Sequence, residues 1–418
     1  MAPMRQLLAT MNQKPGMADP SNRLCPFGEF ENLHFARFVI LDDLTTGDTE
    51  LYGITPPALP LYLAFLGDFD GSYDDFIDEL SARAGSGLAE IFSMCEDFDP
   101  DVELSTWMRA HEARPATYYC NWVGRTVRQC REEAQLAAAL RSHLDASPDF
   151  AKASPNEVHR ALRSFTQSEQ AAGRLPLTPA AKTSFAWSLR HIWDWTLIVL
   201  LIVLGVVTLP LTLIPLLMAV FFLRRLEKTD PEFAPLPSAD LAASLAAIED
   251  YSVTNQFSAM GGIKPGFFRR TLLKVILWAI NLTAKLIFTK GRLARVQTIH
   301  FARWVYLDGG KRLLFTSNYD GSLESYMDDF INKVAFGLNA VFSNGIGYPR
   351  TDWLVLNGAK REQLFKRFLR RHQLPTDVWY NAHDGFRAFD LEKNSLIRQG
   401  IERPTMPDSD LFTWVTML

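Results

Sequence analysis

Apolar and polar positions along the chain fall into three regimes. From Trp195 to Leu223 there are 29 consecutive residues without a formal charge, mostly Leu, Ile and Val. A bilayer core takes roughly 20 helical residues, so this run is long enough to cross with tilt. Trp193 and Trp195 at one end, and Arg224, Arg225 and Lys228 at the other, are the residue types that anchor at an interface. Gly205, Pro210 and Pro215 interrupt the run, and proline removes a backbone donor and bends a helix. The pattern predicts one kinked span or a proline-tipped hairpin that enters and returns. The Lys/Arg excess after Leu223 favours the cytoplasm on that side, a bias reduced by Lys182 and Arg190 before the run.

The second regime is Phe267 to Lys290, whose longest uncharged run, Val275 to Ala284, is too short to cross. On a helix turning about 100° per residue, Arg270, Lys274, Asn281 and Lys285 form one stripe about 60° wide. Leu272, Leu273, Ile276, Leu277, Ile280 and Ile287 occupy the other faces. A cationic stripe on an apolar helix predicts an amphipathic helix lying among headgroups, although a core helix with a solvated edge has the same pattern.

The third regime is strand-like and occurs twice. His34–Asp42 reads HFARFVILD and His300–Asp308 reads HFARWVYLD, identical at seven of nine positions. Asp70–Ser93 aligns without gaps with Asp320–Ser343 at eight identical positions of 24. The offset changes from 266 to 250 between the two blocks, so the first copy carries 16 extra residues around Thr45–Pro60, where three prolines predict an extended loop. This ordered self-similarity predicts two copies of one unit. In the second copy, Phe301, Arg303, Val305 and Leu307 alternate with His300, Ala302, Trp304 and Tyr306, a strand used on both faces. Asp308-Gly309-Gly310 turns into a second strand at Leu313–Ser317, and Asp-Gly-Ser opens a helix capped by Ser322. Ser72 and Asp75 have capping-box spacing in the first copy. A further helix at Arg361–His372 leads to a strand at Asp377–Asn381, as Leu104–Glu112 leads to Ala116–Trp122.

The order predicts an α+β fold in which two ferredoxin-like repeats pack their sheets face to face as a pseudo-dimeric barrel, interrupted by the membrane segment. The corresponding division is a tail (1–29), first repeat (30–145), linker (146–190), membrane segment (191–228), linker (229–266), amphipathic helix (267–291), second repeat (292–385), and C-terminal helix and tail (386–418).

Composition narrows the function classes. A net charge of −4 over 418 residues, with no long basic block, argues against a nucleic-acid partner. Four cysteines without a C-x-x-C pair or a Cys/His cluster argue against a disulfide scaffold and a structural zinc site. The N-terminal segment has no apolar core of signal-peptide length. Hydrolase, metalloprotease and phosphate-loop signatures do not occur.

Candidate chemistry therefore rests on individual residues. His34 and His300 sit in predicted sheet interiors, where imidazole binds a metal or haem iron or, more simply, hydrogen-bonds its neighbours. Arg37 and Arg303 point towards an apolar face, and a buried guanidinium requires a partner. Asp70 and Asp320, or Asp42 and Asp308, are the candidate partners, giving an Arg–Asp pair inside each copy. The second copy alone has Asn318, Asn339, Asn344, Tyr348, Arg350, Trp379, Tyr380 and His383. Among these, Asn318, Tyr348 and Arg350, with Asp320, are the candidate ligand-binding residues. His383 beside Tyr380 is a cofactor candidate, with a solvated loop position as the simpler reading. The basic helix Arg361–Arg371 presents a face for anionic lipid or for solvent.

The element order and duplication resemble the α+β-barrel superfamily of dye-decolorizing peroxidases and chlorite dismutases, over about residues 30–145 and 295–385. Gly67-Asp68-Phe69-Asp70-Gly71 matches the GxxDG pattern of the former, whose aspartate lies over the distal haem face. The resemblance implies a haem site drawing on His300, Arg303, Asp70, His34 and Arg37. Against it, Asp70 has a twin in Asp320, which fits a turn or helix-start residue, and no motif singles out a proximal histidine. Packing both copies together requires them on one side of the bilayer, so the expectation is a monotopic or re-entrant anchor with both repeats on the cytoplasmic face. Two function classes follow. One is a non-catalytic module holding an apolar, lipid-like ligand or a partner enzyme at the bilayer. The other is a membrane-associated haem oxidoreductase.

Overall fold

The computed structural model of the chain describes residues 1–147, 150, 152–180 and 185–418, so Lys182 and part of the expected 146–190 linker lie outside it. The fold is mixed α+β. Two larger antiparallel sheets are built from β1 (Leu33–Leu41), β2 (Tyr62–Phe69), β3 (Thr117–Cys120), β4 (Thr254–Gly262), β5 (Ile299–Leu307), β6 (Arg312–Asp320) and β7 (Val378–Asn381). Their orders are β7-β1-β2 and β3-β5-β6-β4. Two small ribbons pair Asn12–Lys14 with Met17–Ala18, and Thr351–Asp352 with Leu356–Asn357.

Side-chain alternation assigns the faces. On β1, Ala36, Phe38 and Ile40 pack with Phe76, Leu80, Leu88 and Ile91 of the helix Tyr73–Phe92. On β5, Ala302 and Trp304 pack with Leu273 and Leu277 of the helix Phe267–Leu286 and with the helices Leu323–Lys333 and Ala335–Phe342. The opposite faces meet each other: Val39 and Leu41 join Val305, Leu314 and Met260 in one cluster, and Phe35, Phe301 and Trp379 form another. Two sheets therefore lie face to face with helices outside them. No strand ladder among the described residues joins them into the closed barrel expected from the sequence.

Strand pairing exchanges partners between the halves. β3, from the first half, pairs with β5 in the register Thr117↔Trp304 to Cys120↔Phe301. β7, from the second half, pairs with β1 in the register Val378↔Phe38 to Asn381↔Phe35. Each half thus completes the other's sheet. β4 lies in the stretch expected to be a linker, yet it forms the edge of the four-stranded sheet through nine residues paired with β6. The helix Pro155–Ala171, within the other expected linker, packs through Val158 and Leu162 against Leu136, Leu140 and Ile397.

Local signals correspond closely to the elements. Ser72 and Ser322 accept the N–H groups of Asp75 and Ser325 at 3.2 and 3.3 Å as N-caps. The apolar run forms one continuous helix, Phe185–Thr229, of 45 residues, which continues past Pro210 and Pro215. The proline-tipped hairpin is therefore corrected to a single continuous helix, about 68 Å along its axis at 1.5 Å per residue. The prolines leave it unbroken because its other backbone groups remain paired within the helix. By length and composition this helix is able to cross a membrane, and none of its most apolar 18-residue window is buried.

The helix Phe267–Leu286 is amphipathic, with Leu273, Leu277 and Ala284 in the core and Phe267, Val275 and Trp278 exposed beside Arg270 and Lys274. In the helix Glu362–His372 three of the cations are engaged within the protein, while Arg367 is exposed. Lys366 meets Glu324, Asp328 and Glu362, Arg370 meets Glu249, and Arg371 meets Asp48.

Candidate functional site

The inner faces of the sheets enclose two polar centres, and a third lies where the long helix joins the body.

The first centre is formed by alternation, because Arg37 on β1 and Arg303 on β5 follow Phe35 and Phe301 onto the inner faces. Arg37 donates to the Phe257 carbonyl at 2.9 Å, to Ser258 Oγ at 3.1 Å and to the Ser317 carbonyl at 3.0 Å, and pairs with Asn318. Arg303 pairs with Asp68 and donates to the Gly67 carbonyl at 3.2 Å. Asn318 Nδ2 donates to Asp68 at 2.9 Å, joining the two arginines through an Asn–Asp bridge. Arg37 lies over the Trp379 ring at 4.9 Å and Arg303 over Tyr118 at 5.4 Å, each ring coming from the exchanged strand. Burial pulls the Arg37 guanidinium down to about 9, opposed by Asp68 and reinforced by Arg303. The expected Arg–Asp pair inside each copy is corrected: the one carboxylate is Asp68, and it reaches an arginine from the other half.

The second centre is shaped by β-bulges between Leu33 and Phe35 and between Ile299 and Phe301. They turn His34 and His300 away from the face of Trp304 and Tyr306, where simple alternation puts them. His34 Nε2 meets Asp70 at 3.1 Å, and His34 Nδ1 meets His383 Nε2 at 2.8 Å. His300 Nε2 meets Asp320 at 2.7 Å. The second oxygen of Asp70 accepts the Val127 N–H at 2.8 Å, and that of Asp320 accepts the Ala388 N–H at 2.8 Å. Val127 and Ala388 begin the helices Val127–Asp145 and Ala388–Glu402, so each aspartate fixes a histidine against a helix N-terminus. A cavity of about 40 Å³ lies here, lined in part by the three histidines, Cys120, Cys130 and Arg125.

This volume takes one or two waters. Both ring nitrogens of His34 are engaged, Asp70 is directed at a helix N-terminus, and the aromatic rings of Phe35 and Phe301 fill the space between the histidines. The residues present do not fit a haem. Burial pushes the Cys120 and Cys130 thiols up to about 12, which leaves them protonated and weakly nucleophilic at neutral pH.

His383 is buried instead of lying in a solvated loop. With His34 Nε2–H donating to Asp70, His34 Nδ1 accepts the proton of His383 Nε2, and all three groups are satisfied with neutral rings. Burial, then the nearby His34, His300, Arg131 and Arg125, hold His383 well below the usual histidine range. Burial likewise lowers His372, whose Nδ1 is bonded to the Phe368 carbonyl at 2.8 Å. The unfolded chain takes up protons on these histidines below about pH 6.5 while the folded one resists, so stability falls as pH drops through that value. We expect the urea midpoint to decline on acidification, with a shallower slope in His383→Gln. Equal slopes would remove His383 as a source.

The third centre roots the long helix. Glu227, buried near its end, accepts from Thr351 Oγ1 at 3.0 Å and from the N–H groups of Trp353 and Leu354 at 3.1 and 2.7 Å, and pairs with Arg224. Asp230 meets Lys264 at 2.9 Å and Arg269 at 2.6 Å, and its carbonyl accepts from Arg350 at 2.9 Å. Burial lowers Lys264 to about 8 against the pull of Asp230.

The residues singled out from sequence thus separate into different places. His34, His300, Asp70 and Asp320 belong to the histidine centre, Arg37, Arg303 and Asn318 to the arginine centre, and Arg350 to the helix root. Tyr348 is in the outer core, donating to Asn339 at 2.7 Å. Sequence reasoning missed Asp68, Glu227 and Asp230. For Asp68 a signal existed: it lies two positions before Asp70 and aligns with Asn318. Among the described residues, no group of three or more His, Cys, Asp or Glu side chains is arranged to hold a metal ion. No protein-family model, curated protein or solved structure matches the chain.

Proposed function

We propose that this chain is a monotopic membrane protein whose duplicated α+β body holds a partner enzyme or a lipid-like ligand at the bilayer without catalysing a reaction itself. The observation that carries the reading is the exposed helix Phe185–Thr229, uncharged from Trp195 to Leu223, with its buried ionic root. Such a surface is stable only in lipid or against another apolar surface.

Its attachment favours an in-plane position. Before the helix, Thr178 is held by Glu132 through bonds of 2.6 Å, and in its last turn Glu227 is held by the Trp353 and Leu354 N–H groups. Seven residues from Thr178 to Phe185 reach at most about 25 Å. Both ends are therefore tied to one body, and that body is interwoven by strand exchange, which resists separation onto two sides of a membrane. A helix uncharged from Trp195 to Leu223, anchored at both ends from one side, lies within the near leaflet, with Arg190 at one end and exposed Arg225 and Lys228 at the other facing headgroups.

The duplication belongs to the same reading. Two strand pairs, two His–Asp–helix starts and two arginine–aromatic stacks occur in matching order, as fusion of two ferredoxin-like units predicts. Interiors whose polar groups bind one another favour the holding role over the haem alternative.

The test is sidedness. Ala186→Cys and Lys228→Cys variants in sealed vesicles are treated with a membrane-impermeant maleimide. Labelling of both from the same face is expected. Labelling from opposite faces would make the helix a true span and overturn the monotopic reading.

A further inference from the structure

Within that membrane reading, we propose that the hairpin Thr351–Asn357 is a second membrane-inserting element, a wedge that enters the same leaflet as the long helix. Trp353, Val355 and Leu356 are 56%, 36% and 51% exposed, and Phe336 nearby in the chain's second half is 59% exposed. An apolar tip with so little cover is unusual on a water-facing loop.

The backbone is set to present this tip. Trp353, Leu354 and Asn357 have φ of 54°, 69° and 58°, a conformation that bulky side chains avoid without compensation. The compensation comes from the helix root and the core. The Glu227 carboxylate accepts the N–H groups of Trp353 and Leu354, and Arg224 binds Asp352 at 2.9 Å while lying over the Trp353 ring at 4.7 Å. Behind the hairpin, fully buried Asn339 donates to the Val355 and Asn357 carbonyls at 2.9 and 3.1 Å. The hairpin and the end of the apolar helix are thus one rigid unit.

That unit points to lipid as the occupant. The uncharged run ends at Leu223, one residue before the arginine that stacks on Trp353, so the tip stands level with the end of the lipid-seeking surface. Arg225 and Lys228, beside the Arg224 and Glu227 that hold the hairpin, and Lys360, three residues past its end, are all exposed, which suits anionic headgroups around an inserted apolar tip. Tryptophan at this depth is the usual interfacial anchor. The hairpin is also peculiar to the later half: Ser343 to His372 spans 29 positions, against 18 from Ser93 to His111 in the corresponding earlier stretch.

The experiment uses the full chain with Cys95→Ala, reconstituted into phosphatidylcholine–phosphatidylglycerol vesicles. An environment-sensitive fluorophore is placed at Leu356→Cys, at Val206→Cys within the long helix, or at Val102→Cys on a distant loop. We expect blue-shifted emission and quenching by brominated acyl chains at 356 and 206, and neither at 102. Quenching at 206 but not at 356 would overturn the wedge while leaving helix anchoring intact. A blue shift at 356 without bromolipid quenching would mean a protein covers the tip, and would also overturn it. Absence of quenching at both positions would remove the membrane reading and the wedge together.

Discussion

Asp68→Ala is expected to destabilise the fold by about 3–5 kcal/mol, the range for stranding a buried charge. Asp68 is 4% exposed and, among the described residues, is the only carboxylate bonded to the centre that contains both Arg37 and Arg303. Its loss leaves two guanidinium groups between the sheets with only neutral carbonyl, hydroxyl and amide acceptors, and also removes the acceptor of Asn318 Nδ2. Arg303→Met should be milder, because the remaining Asp68 still receives Asn318 and the net charge of the centre falls. The double variant Asp68→Leu with Arg303→Met should be more stable than Asp68→Ala, since both members of the ion pair are replaced by apolar groups. Urea midpoints with unchanged slopes measure all three. If Asp68→Ala unfolds at the wild-type midpoint, the centre has no part in holding the sheets together.

The inward direction of Arg37 and Arg303 was legible from strand alternation alone, as were the strands themselves and the Ser72 and Ser322 caps. Their partners were not. Arg303 finds Asp68 235 positions away, and Arg37 finds Asn318 281 positions away, because the sheets meet face to face. Periodicity reports which face a residue occupies and carries no information about what lies opposite. The partners of β3 and β7, strands the sequence did predict, escaped for the same reason: either sheet offers the same ladder of backbone groups, and the choice is tertiary. His34 and His300 were misplaced because a bulge adds one residue and reverses the face of what precedes it. β4 was hidden by its composition, TNQFSAMGG, which lacks the alternation of a half-buried strand. The long helix was legible in extent but not in path, since prolines leave a kinked span and a hairpin both open until the rest of the backbone is accounted for.

The second large effect is expected at the twin aspartates, and its asymmetry is the informative part. Asp320 accepts from His300 Nε2 and Thr254 Oγ1 at 2.7 and 2.9 Å through one oxygen, and from the Ala388 N–H at 2.8 Å through the other. Thr254 has a second acceptor in the Phe386 carbonyl, so Asp320→Ala leaves two buried donors without partners. At about 1–3 kcal/mol for each, plus the lost interaction with the helix N-terminus, the expected loss is on the order of 3–5 kcal/mol. Asp70 makes the equivalent bonds to His34 and Val127, but its side chain is 23% exposed against 6% for Asp320. Water can replace part of what Asp70→Ala removes, and the expected loss is about 1–2 kcal/mol, as for an ordinary helix cap. Because the two aspartates align in sequence and each joins a histidine to a helix N-terminus, the difference between the two variants reports mainly burial, with the additional Thr254 bond of Asp320 acting in the same direction. Equal effects would mean that the His–Asp–helix unit is indifferent to burial, and that the two carboxylates are held for a purpose other than joining strand to helix.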